Sequence, residues 1–276
     1  MNITQKQDII DNLYVQKDAL HKLPTQELQQ YRNLIIEILQ LLDNGQLRIS
    51  QKTDHVWNTN QWLKKAILLA FKLLPNQLFF NSYDKIPLKF TTWQQEDFIK
   101  TNIRVVPGAI VRLGAYIAQQ TVLMPCFINS GAFIDEGTMI DSGATIGSCA
   151  QIGKRCHISS QATIGGVLEP LHNNPIIIEN DCFIGAGCII VEGVIIEQGA
   201  VLATGVHIGS STKIINRETN QISYGKIPPY AVVVPGSYID KTNQVALNCA
   251  IIVKTVDAQT KSKTSINELL RENSLL

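Results

Sequence analysis

The sequence predicts a mainly β protein: a left-handed parallel β-helix with an α-helical N-terminal domain and a small C-terminal capping region. An apolar residue recurs at every sixth position from Ile110 to Ile164 and, after one interruption, from Ile178 to Ile214. A small or β-branched residue follows most of these positions by four, as at Ala132. Such a period is typical of β-helix solenoids and fits neither an amphipathic helix nor a simple hairpin. The left-handed winding is taken from known hexapeptide solenoids. The periodicity alone does not give it, and parallel crossovers in other folds strongly prefer the right-handed form.

The repeated apolar positions are expected to point into a triangular prism. Three hexads, about eighteen residues, form one coil, and coils stack at the ~4.8 Å spacing of parallel strands. The residue after each inward position then faces outward, which places Asp135, Asp141 and Gly147 on the surface. The predicted inward residues are Ile110, Tyr116, Val122, Ile128, Ile134, Ile140, Ile146, Ile152, Ile158, Ile164, Ile178, Ile184, Ile190, Ile196, Leu202, Ile208 and Ile214.

Composition excludes several classes of function. With 24 basic and 23 acidic residues among 276, the formal charge is +1, which argues against a general nucleic-acid binder. No apolar run reaches the ~18 to 20 residues of a membrane span, and the first residues lack the features of a signal peptide. Six cysteines contain no C-x-x-C pair, so neither disulfides nor a metal site is predicted. We expect a cytoplasmic protein that binds neither nucleic acid nor membrane.

Residues 1–104 are predicted to form the helical N-terminal domain. The segment 24–45 has helical apolar spacing between Pro24 and Gly45, and 60–74 repeats that spacing before Pro75. A third helix is expected within 5–20, whereas 80–93 is read as extended or looped. The β-helix is assigned to 105–216, and 217–276 is assigned to a strand and helix cap that includes a short helix in SINELLREN.

One inserted loop, at 165–177, interrupts the hexads. It begins GGVLEP and shifts the register by two residues. Insertions in solenoids form loops on one face, often the binding face. A neutral surface insertion is the alternative, but the paired glycines and two prolines favour a functional loop.

Several stretches together resemble one enzyme family. They are LLDNGQLRIS, NQWLKKAILLAF, KIPLKF, RVVPGAIVR, VLMPCFINSGAFIDEGTMID, IGSCAQIGK, GGVLEPL, VEGVI and CAIIVKTVDAQTKSKTSINELLR. In this order, and over nearly the whole chain, they are similar to tetrahydrodipicolinate N-succinyltransferase (2,3,4,5-tetrahydropyridine-2,6-dicarboxylate N-succinyltransferase) of bacterial lysine biosynthesis. Hexapeptide repeats alone would indicate only a fold.

The resemblance implies a homotrimer that uses succinyl-CoA as co-substrate, holds no permanent cofactor or metal, and acylates the amine of a ring-opened dicarboxylate in clefts between prisms. Arg104 in RVVP matches the family's substrate-binding arginine, and Asp141 in GTMID matches its active-site aspartate. An arginine can hold a carboxylate through two parallel hydrogen bonds. A carboxylate can take the proton of an attacking amine.

The arm of acyl-CoA needs close approach to backbone, which small residues permit. The candidates are Ala203, Thr204 and Gly205, together with Gly225 and Lys226 in a following loop. Lys226 or Lys254 is a candidate for the phosphates. The alternative for each of these lysines is an ordinary solvated surface charge with no role in binding.

The chain departs from the family at one place. The family's arginine and glutamate ahead of Val-Glu-Gly are replaced, with Ile189 at the glutamate position. That glutamate is a second active-site carboxylate in the family, so the acyl preference is open. Asp141 then acts alone, or Glu192 or Glu169 substitutes.

Three other functions are weighed. An acetyl donor would make the chain a different acyl-CoA-dependent N-acyltransferase. A zinc hydratase on the same prism would use His157, His172 and His207 as metal ligands. In an acyltransferase, His157 or His207 could instead be the general base. An inactive trimeric scaffold would explain the change at Ile189, but intact Arg104 and Asp141 weigh against it.

Overall fold

The computed structural model describes residues 1–79, 82–240, 242, 245–257, 259 and 260. The N-terminal region contains helices α1 (Ile3–Val15), α2 (Thr25–Asp43), α3 (Gln61–Leu73) and α4 (Gln95–Thr101), with 3-10 turns at Leu20–Lys22 and Lys89–Thr92. Two hairpins interrupt them, β1 (Ser50–Thr53) with β2 (Val56–Thr59) and β3 (Gln77–Phe79) with β4 (Ser82–Asp84).

The two best-marked helices of the sequence are confirmed as α2 and α3, and α1 occupies the first part of the third predicted segment. Their apolar stripes meet in one cluster that includes Ile38, Leu63 and Ile67, all fully buried. Helix α4 was not predicted, because its seven residues carry no apolar stripe and bury none of their side chains.

The hexads form a triangular prism with three parallel sheets. The chain visits three faces in turn, which we call the covered face, the Asp141 face and the Ile189 face. The covered face consists of β7 (Tyr116–Ile117), β10 (Phe133–Ile134), β13 (Gln151–Ile152), β16 (Ile177–Ile178), β19 (Ile195–Ile196) and β24 (Lys226–Ile227). The Asp141 face consists of β5 (Arg104–Val105), β8 (Val122–Leu123), β11 (Met139–Ile140), β14 (His157–Ile158), β17 (Phe183–Ile184) and β20 (Val201–Leu202). The Ile189 face consists of β6 (Ile110–Val111), β9 (Phe127–Ile128), β12 (Thr145–Ile146), β15 (Thr163–Ile164), β18 (Ile189–Ile190) and β21 (His207–Ile208).

Strand pairing confirms the predicted coil length. Ile134 pairs with Ile152, eighteen residues on, and Ile140 pairs with Ile158 at the same spacing. The second residue of each short strand points inward, so a continuous column of isoleucines fills the prism. Small residues such as Ala132 and Ala144 are buried at the corners, as the hexads predict.

The predicted inward residues of the first coil are wrong by one position. Ile110 is 45% exposed, whereas the next residue, Val111, is 2% exposed and pairs with Ile128. Ile128 is only five positions after the inward Leu123 instead of six, so the corner around Pro125 is one residue short. Apolar residues occupy both neighbouring columns there, and the spacing of six cannot tell them apart. The corrected inward residues are Val111, Ile117 and Leu123, in place of Ile110, Tyr116 and Val122.

The N-terminal helical region lies against one side of the prism, the covered face. Helix α2 contacts β7, the Arg48 side chain donates to Gln151, and Lys52 of β1 pairs with Glu179. The inserted loop leaves the prism between β15 and β16, so Ile152 pairs with Ile178, twenty-six residues on. The Asp141 and Ile189 faces therefore remain as the outer sides of the chain.

Long strands close the C-terminal end. β25 (Ala231–Ile239) continues the Asp141 face beside β20 and pairs with β26 (Ala246–Thr255), which also pairs with β22 (Lys213–Asn216); β23 (Ile222–Ser223) completes a hairpin with β22. The helix predicted at residues 265–273 lies outside the described residues. No helix in the described part of the chain has the length and hydropathy that crossing a bilayer requires.

Candidate active site

The Asp141 face brings together the two residues that the motifs single out. Arg104 begins the first strand of this face, and Asp141 directly follows β11, two strands farther along. Arg104 is level with Met139, two residues before Asp141, so at ~4.8 Å per strand and ~3.3 Å per residue the two positions are roughly 12 Å apart. Arg104 is exposed and Asp141 is half-buried. The two side chains therefore lie on one face, with Arg104 nearer its N-terminal end.

Asp141 lies beside a histidine. Its Oδ1 accepts a hydrogen bond of 2.7 Å from the backbone N–H of Ser142, while Oδ2 lies 3.7 Å from Nε2 of His157. The latter distance is longer than a direct hydrogen bond, so a small shift or a bridging group would connect the two. The Phe183 ring packs on the imidazole with centroids 5.1 Å apart. The arrangement supplies an adjacent carboxylate and imidazole that can take a proton from an amine.

His157 was only an alternative general base in the sequence, but the coil length contained the signal. Residue 157 pairs with residue 139, eighteen positions earlier, and Asp141 is two residues from that partner. His172 lies in the inserted loop and His207 on the Ile189 face, so one chain does not bring the three histidines together.

A corner of the prism leads from Asp141 towards the C-terminal end. Asp141, Ser159, Gly185 and Ala203 follow one another on successive strands, each donating its N–H to the next coil. Beside them, a Cβ built on Gly205 would meet no atom within 4 Å. Three of the acyl-CoA candidates, Ala203, Thr204 and Gly205, thus lie on the same open edge as Asp141.

The other acyl-CoA candidates are divided between two faces. Lys254 pairs with Val232 and so extends the Asp141 face, where its Nζ is 2.6 Å from Asp257. Lys226 instead lies in β24, the last strand of the covered face, with Gly225 directly before it, and Lys226 pairs with Glu197 at 2.7 Å. Within one chain, Lys226 therefore does not share a face with Asp141.

The inserted loop builds a cavity of about 560 Å³ at the corner between the Ile189 and covered faces. Glu169 of the loop and Glu192 of the coil both line it. Glu192 Oε2 accepts 2.7 and 2.8 Å hydrogen bonds from the hydroxyl and N–H of Ser210, which lower the pKa of this carboxyl. Ile189, which the resemblance predicts to replace the family's glutamate, is 38% exposed on the neighbouring face.

Gly166 at the start of the loop and Gly147 of the coil are both required by backbone packing. A Cβ on Gly166 would lie 2.4 Å from the amide nitrogen of Ser148, and one on Gly147 would lie 2.1 Å from that of Gly166. Real Cβ atoms do not approach backbone so closely, so neither position accepts a side chain. The loop is thereby held directly against the coil.

Lys64 of helix α3 holds the loop from the other side. Its side chain is fully buried, and Nζ donates to the carbonyl oxygens of Pro170 (3.3 Å), Leu171 (3.0 Å) and Asn173 (2.9 Å). Burial lowers the pKa of this ammonium. Sequence reasoning missed this role, because a lysine in an amphipathic helix is normally a solvated charge.

Comparison with known proteins agrees with this geometry. Residues 5–73 match the model of the tetrahydrodipicolinate N-succinyltransferase N-terminal domain, residues 131–166 match the bacterial transferase hexapeptide (six repeats), and residues 175–210 match the hexapeptide repeat of succinyl-transferase. A 2,3,4,5-tetrahydropyridine-2,6-dicarboxylate N-succinyltransferase of Legionella pneumophila (strain Corby) is 56% identical over 245 residues, covering 87% of this chain and 89% of the relative. The chain belongs to this N-succinyltransferase family.

A second N-succinyltransferase, of Proteus mirabilis, is 52% identical over 96% of this chain and 97% of its own length. A solved Campylobacter jejuni structure described as a putative N-succinyltransferase superposes with a TM-score of 0.55 at 17% identity, covering 84% of this chain and 64% of that one. At that identity the likeness shows the fold alone. The predictions of an acyltransferase of this family and of a left-handed β-helix are confirmed.

Proposed function

We propose that the chain moves a succinyl group from succinyl-CoA to the amine of ring-opened tetrahydrodipicolinate, in cytoplasmic lysine biosynthesis, without a permanently bound cofactor. The observation that carries the proposal is the alignment of Arg104, Asp141 and the open edge at Ala203 along one face. Family membership supplies the reaction class, since related N-succinyltransferases carry this name.

The acceptor binds at the N-terminal end of the face. The guanidinium of Arg104 holds one carboxylate of the acceptor by two parallel hydrogen bonds. This places the amine of the acceptor towards Asp141. The amine nitrogen attacks the thioester carbonyl, the carbon–sulfur bond breaks, and the CoA thiolate leaves. The proton lost by nitrogen passes to Asp141, and His157 at 3.7 Å is positioned to share it.

The donor lies along the edge beyond Asp141. Ala203 is three strands from Asp141, or roughly 14 Å at ~4.8 Å per strand, and nothing crowds the outer side of Gly205. An extended thioester arm can follow this edge with its acyl end at Asp141. Lys254 then lies at the phosphate end of the same face, whereas Lys226 can contribute only from another copy.

Three copies complete the site. The N-terminal helical region occupies the covered face, so the Asp141 and Ile189 faces are the ones left for neighbouring prisms. Exposed Ile189 and Ile110 lie on the latter face. A head-to-tail contact between these two different faces closes into a ring of three when each prism turns by one third. The inserted loop of one copy would then border the Asp141 face of the next.

The test is thiol release by the purified protein from succinyl-CoA and from acetyl-CoA, with L-2-aminopimelate as a stable acceptor analogue. Succinyl-CoA is expected to be the better donor. Preference for acetyl-CoA would overturn the donor assignment, and no release with either would point to a scaffold.

Asp141→Asn tests the carboxylate. It is expected to lower kcat by about 10²-fold or more, because a positioned proton acceptor contributes 10²- to 10⁴-fold. Asp181→Asn is the matched control, since Asp181 is an exposed coil carboxylate paired with Arg155 at 2.7 Å. Full activity in Asp141→Asn would refute its assignment as the principal carboxylate.

A further inference from the structure

A second cavity, of about 310 Å³, lies between the β1–β2 hairpin and the covered face. Arg48, Lys52 and Trp57 line it from the helical region, and Lys154 and Asn180 line it from the prism. Arg104 and Asp141 belong to another face of the prism, so this cavity is separate from the proposed reaction site. Its size is at the lower end of the range of small-molecule sites.

Arg48 is held in one orientation at this cavity. Its guanidinium carbon lies 3.6 Å from the centroid of the Phe133 ring and 5.7 Å from that of Trp57, and Nε donates to Gln151 Oε1 at 2.8 Å. Among the described residues the guanidinium makes no other hydrogen bond. Its two terminal nitrogens therefore remain as a fixed pair of donors.

The two lysines at the cavity are already paired, while the carboxylate of Asp135, which also lines it, forms no ion pair within the described residues. Lys52 bonds Glu179 at 2.6 Å, and Lys154 bonds Glu136 at 3.1 Å. Glu179 also accepts a 3.0 Å hydrogen bond from the Trp57 indole. No ion pair within the described ranges involves Arg48.

Burial opposes the charged state of Arg48, which lacks a direct counter-ion among the described residues. It lowers the pKa of Arg48 to about 10, while the charge of Asp135 acts in the opposite direction without bonding to it. The guanidinium thus stays protonated at neutral pH. An anion in the cavity would gain a preoriented partner in a poorly solvated place.

We propose that this cavity binds a small organic carboxylate, held by the terminal nitrogens of Arg48 and covered by the Trp57 indole. Asn180 supplies a further donor, because its Oδ1 accepts from the N–H of Lys154 at 2.9 Å and its amide nitrogen donates to no group among the described residues. The ligand would join the helical region to the prism at a point remote from Arg104.

The test uses the full-length protein and the fluorescence of Trp57. Propionate and L-alanine are the probes, since they share the carboxylate and differ in the ammonium group. Each is expected to change the emission saturably, with a Kd of roughly 1 mM, as suits a ligand of few atoms. Trp57→Phe should remove the signal while calorimetry still detects binding. No saturable change with either probe in the unaltered protein would overturn the proposal.

Matched variants assign the binding to Arg48. Arg48→Met should weaken the Kd at least tenfold, and Arg104→Met should leave it unchanged. Should Arg48→Met fail to fold, Arg48→Lys decides, because it keeps the charge but loses the planar fork, and it too should bind more weakly. Unchanged affinity in Arg48→Lys, or equal affinity for chloride and propionate, would overturn the proposal. A preference for L-alanine over propionate would support it and add Asp135 as the partner of the ammonium group.

Discussion

Replacing Lys64 with methionine is expected to release the inserted loop, which ends at residue 176 because β16 begins at Ile177, from the helical region. The ammonium is fully buried and donates to three loop carbonyls at 2.9–3.3 Å. No carboxylate within the described residues forms an ion pair with it. Methionine has nearly the same length and fills the same buried space without donating, so the change removes the hydrogen bonds and little packing.

Two opposing terms set the magnitude. Hydrogen bonds from a charged donor contribute about 1.5–3 kcal/mol each, but keeping an ammonium buried costs several kcal/mol. Methionine removes the cost of burying the ammonium but also loses its hydrogen bonds. Because the loop is partly exposed, water can satisfy some of the freed carbonyls. We expect a net loss of about 1–3 kcal/mol in the free energy of unfolding, and a larger loss of order in the loop itself.

The pH dependence gives a second measure. Burial lowers the pKa of folded Lys64 below its ordinary value of 10.5, so the unfolded chain binds more protons between the two values. The stability contributed by this group therefore rises as pH increases towards 10.5. Lys64→Met should lack this rise.

The assays are urea unfolding at one fixed protein concentration, limited proteolysis of the loop, and steady-state acyl transfer. Lys65→Met is the matched control, because Lys65 is on the same helix, is partly exposed, and pairs with Asp11 at 2.7 Å. We expect faster cleavage of the loop and a raised KM in the acyl-transfer assay for Lys64→Met but not for Lys65→Met. If the two variants showed the same cleavage rate and KM, the loop would not depend on Lys64 and the reasoning would be refuted.

Three further predictions concern single side chains. Gly205→Leu should raise the KM for acyl-CoA more than Gly225→Leu does, since both glycines have positive φ and open surroundings but only the first lies on the Asp141 edge; equal effects would contradict the donor path. Ser210→Ala should raise the pKa of Glu192, measured by NMR titration. Because that lowered pKa contributes stability above about pH 4.5 that is lost on acidification, the variant should lose less stability as pH falls; an unchanged pKa would count against the Ser210 bond. Gly131→Ala should lower the free energy of unfolding by about 2 kcal/mol, because φ is +80° and the new Cβ would lie 2.6 Å from an α3 isoleucine; an unchanged urea midpoint would show that the helix yields without cost.

Local patterns in the sequence predict much of the fold of this protein. The six-residue period, the eighteen-residue coil and helices α2 and α3 follow from side-chain spacing, because each hexad repeats the same backbone geometry and contacts only its neighbours. Arg104 and Asp141 also come from the sequence, through intact motifs. The same coil length could have placed His157 beside Asp141, since residues eighteen apart lie on adjacent strands.

Other features depend on contacts that no local pattern contains. The inward register of the first coil is decided by a five-residue step near Pro125, where apolar side chains fill both columns and the period is ambiguous. The bond from Lys64 to the loop crosses 106 residues, and that from Arg48 to Gln151 crosses 103. Both arise only when the helical region folds against the prism, because burial there turns two ordinary surface cations into fixed donors. The sequence by itself therefore determines the solenoid, its family and the two motif residues of the site, and tertiary packing determines how the loop is held and where the second cavity forms.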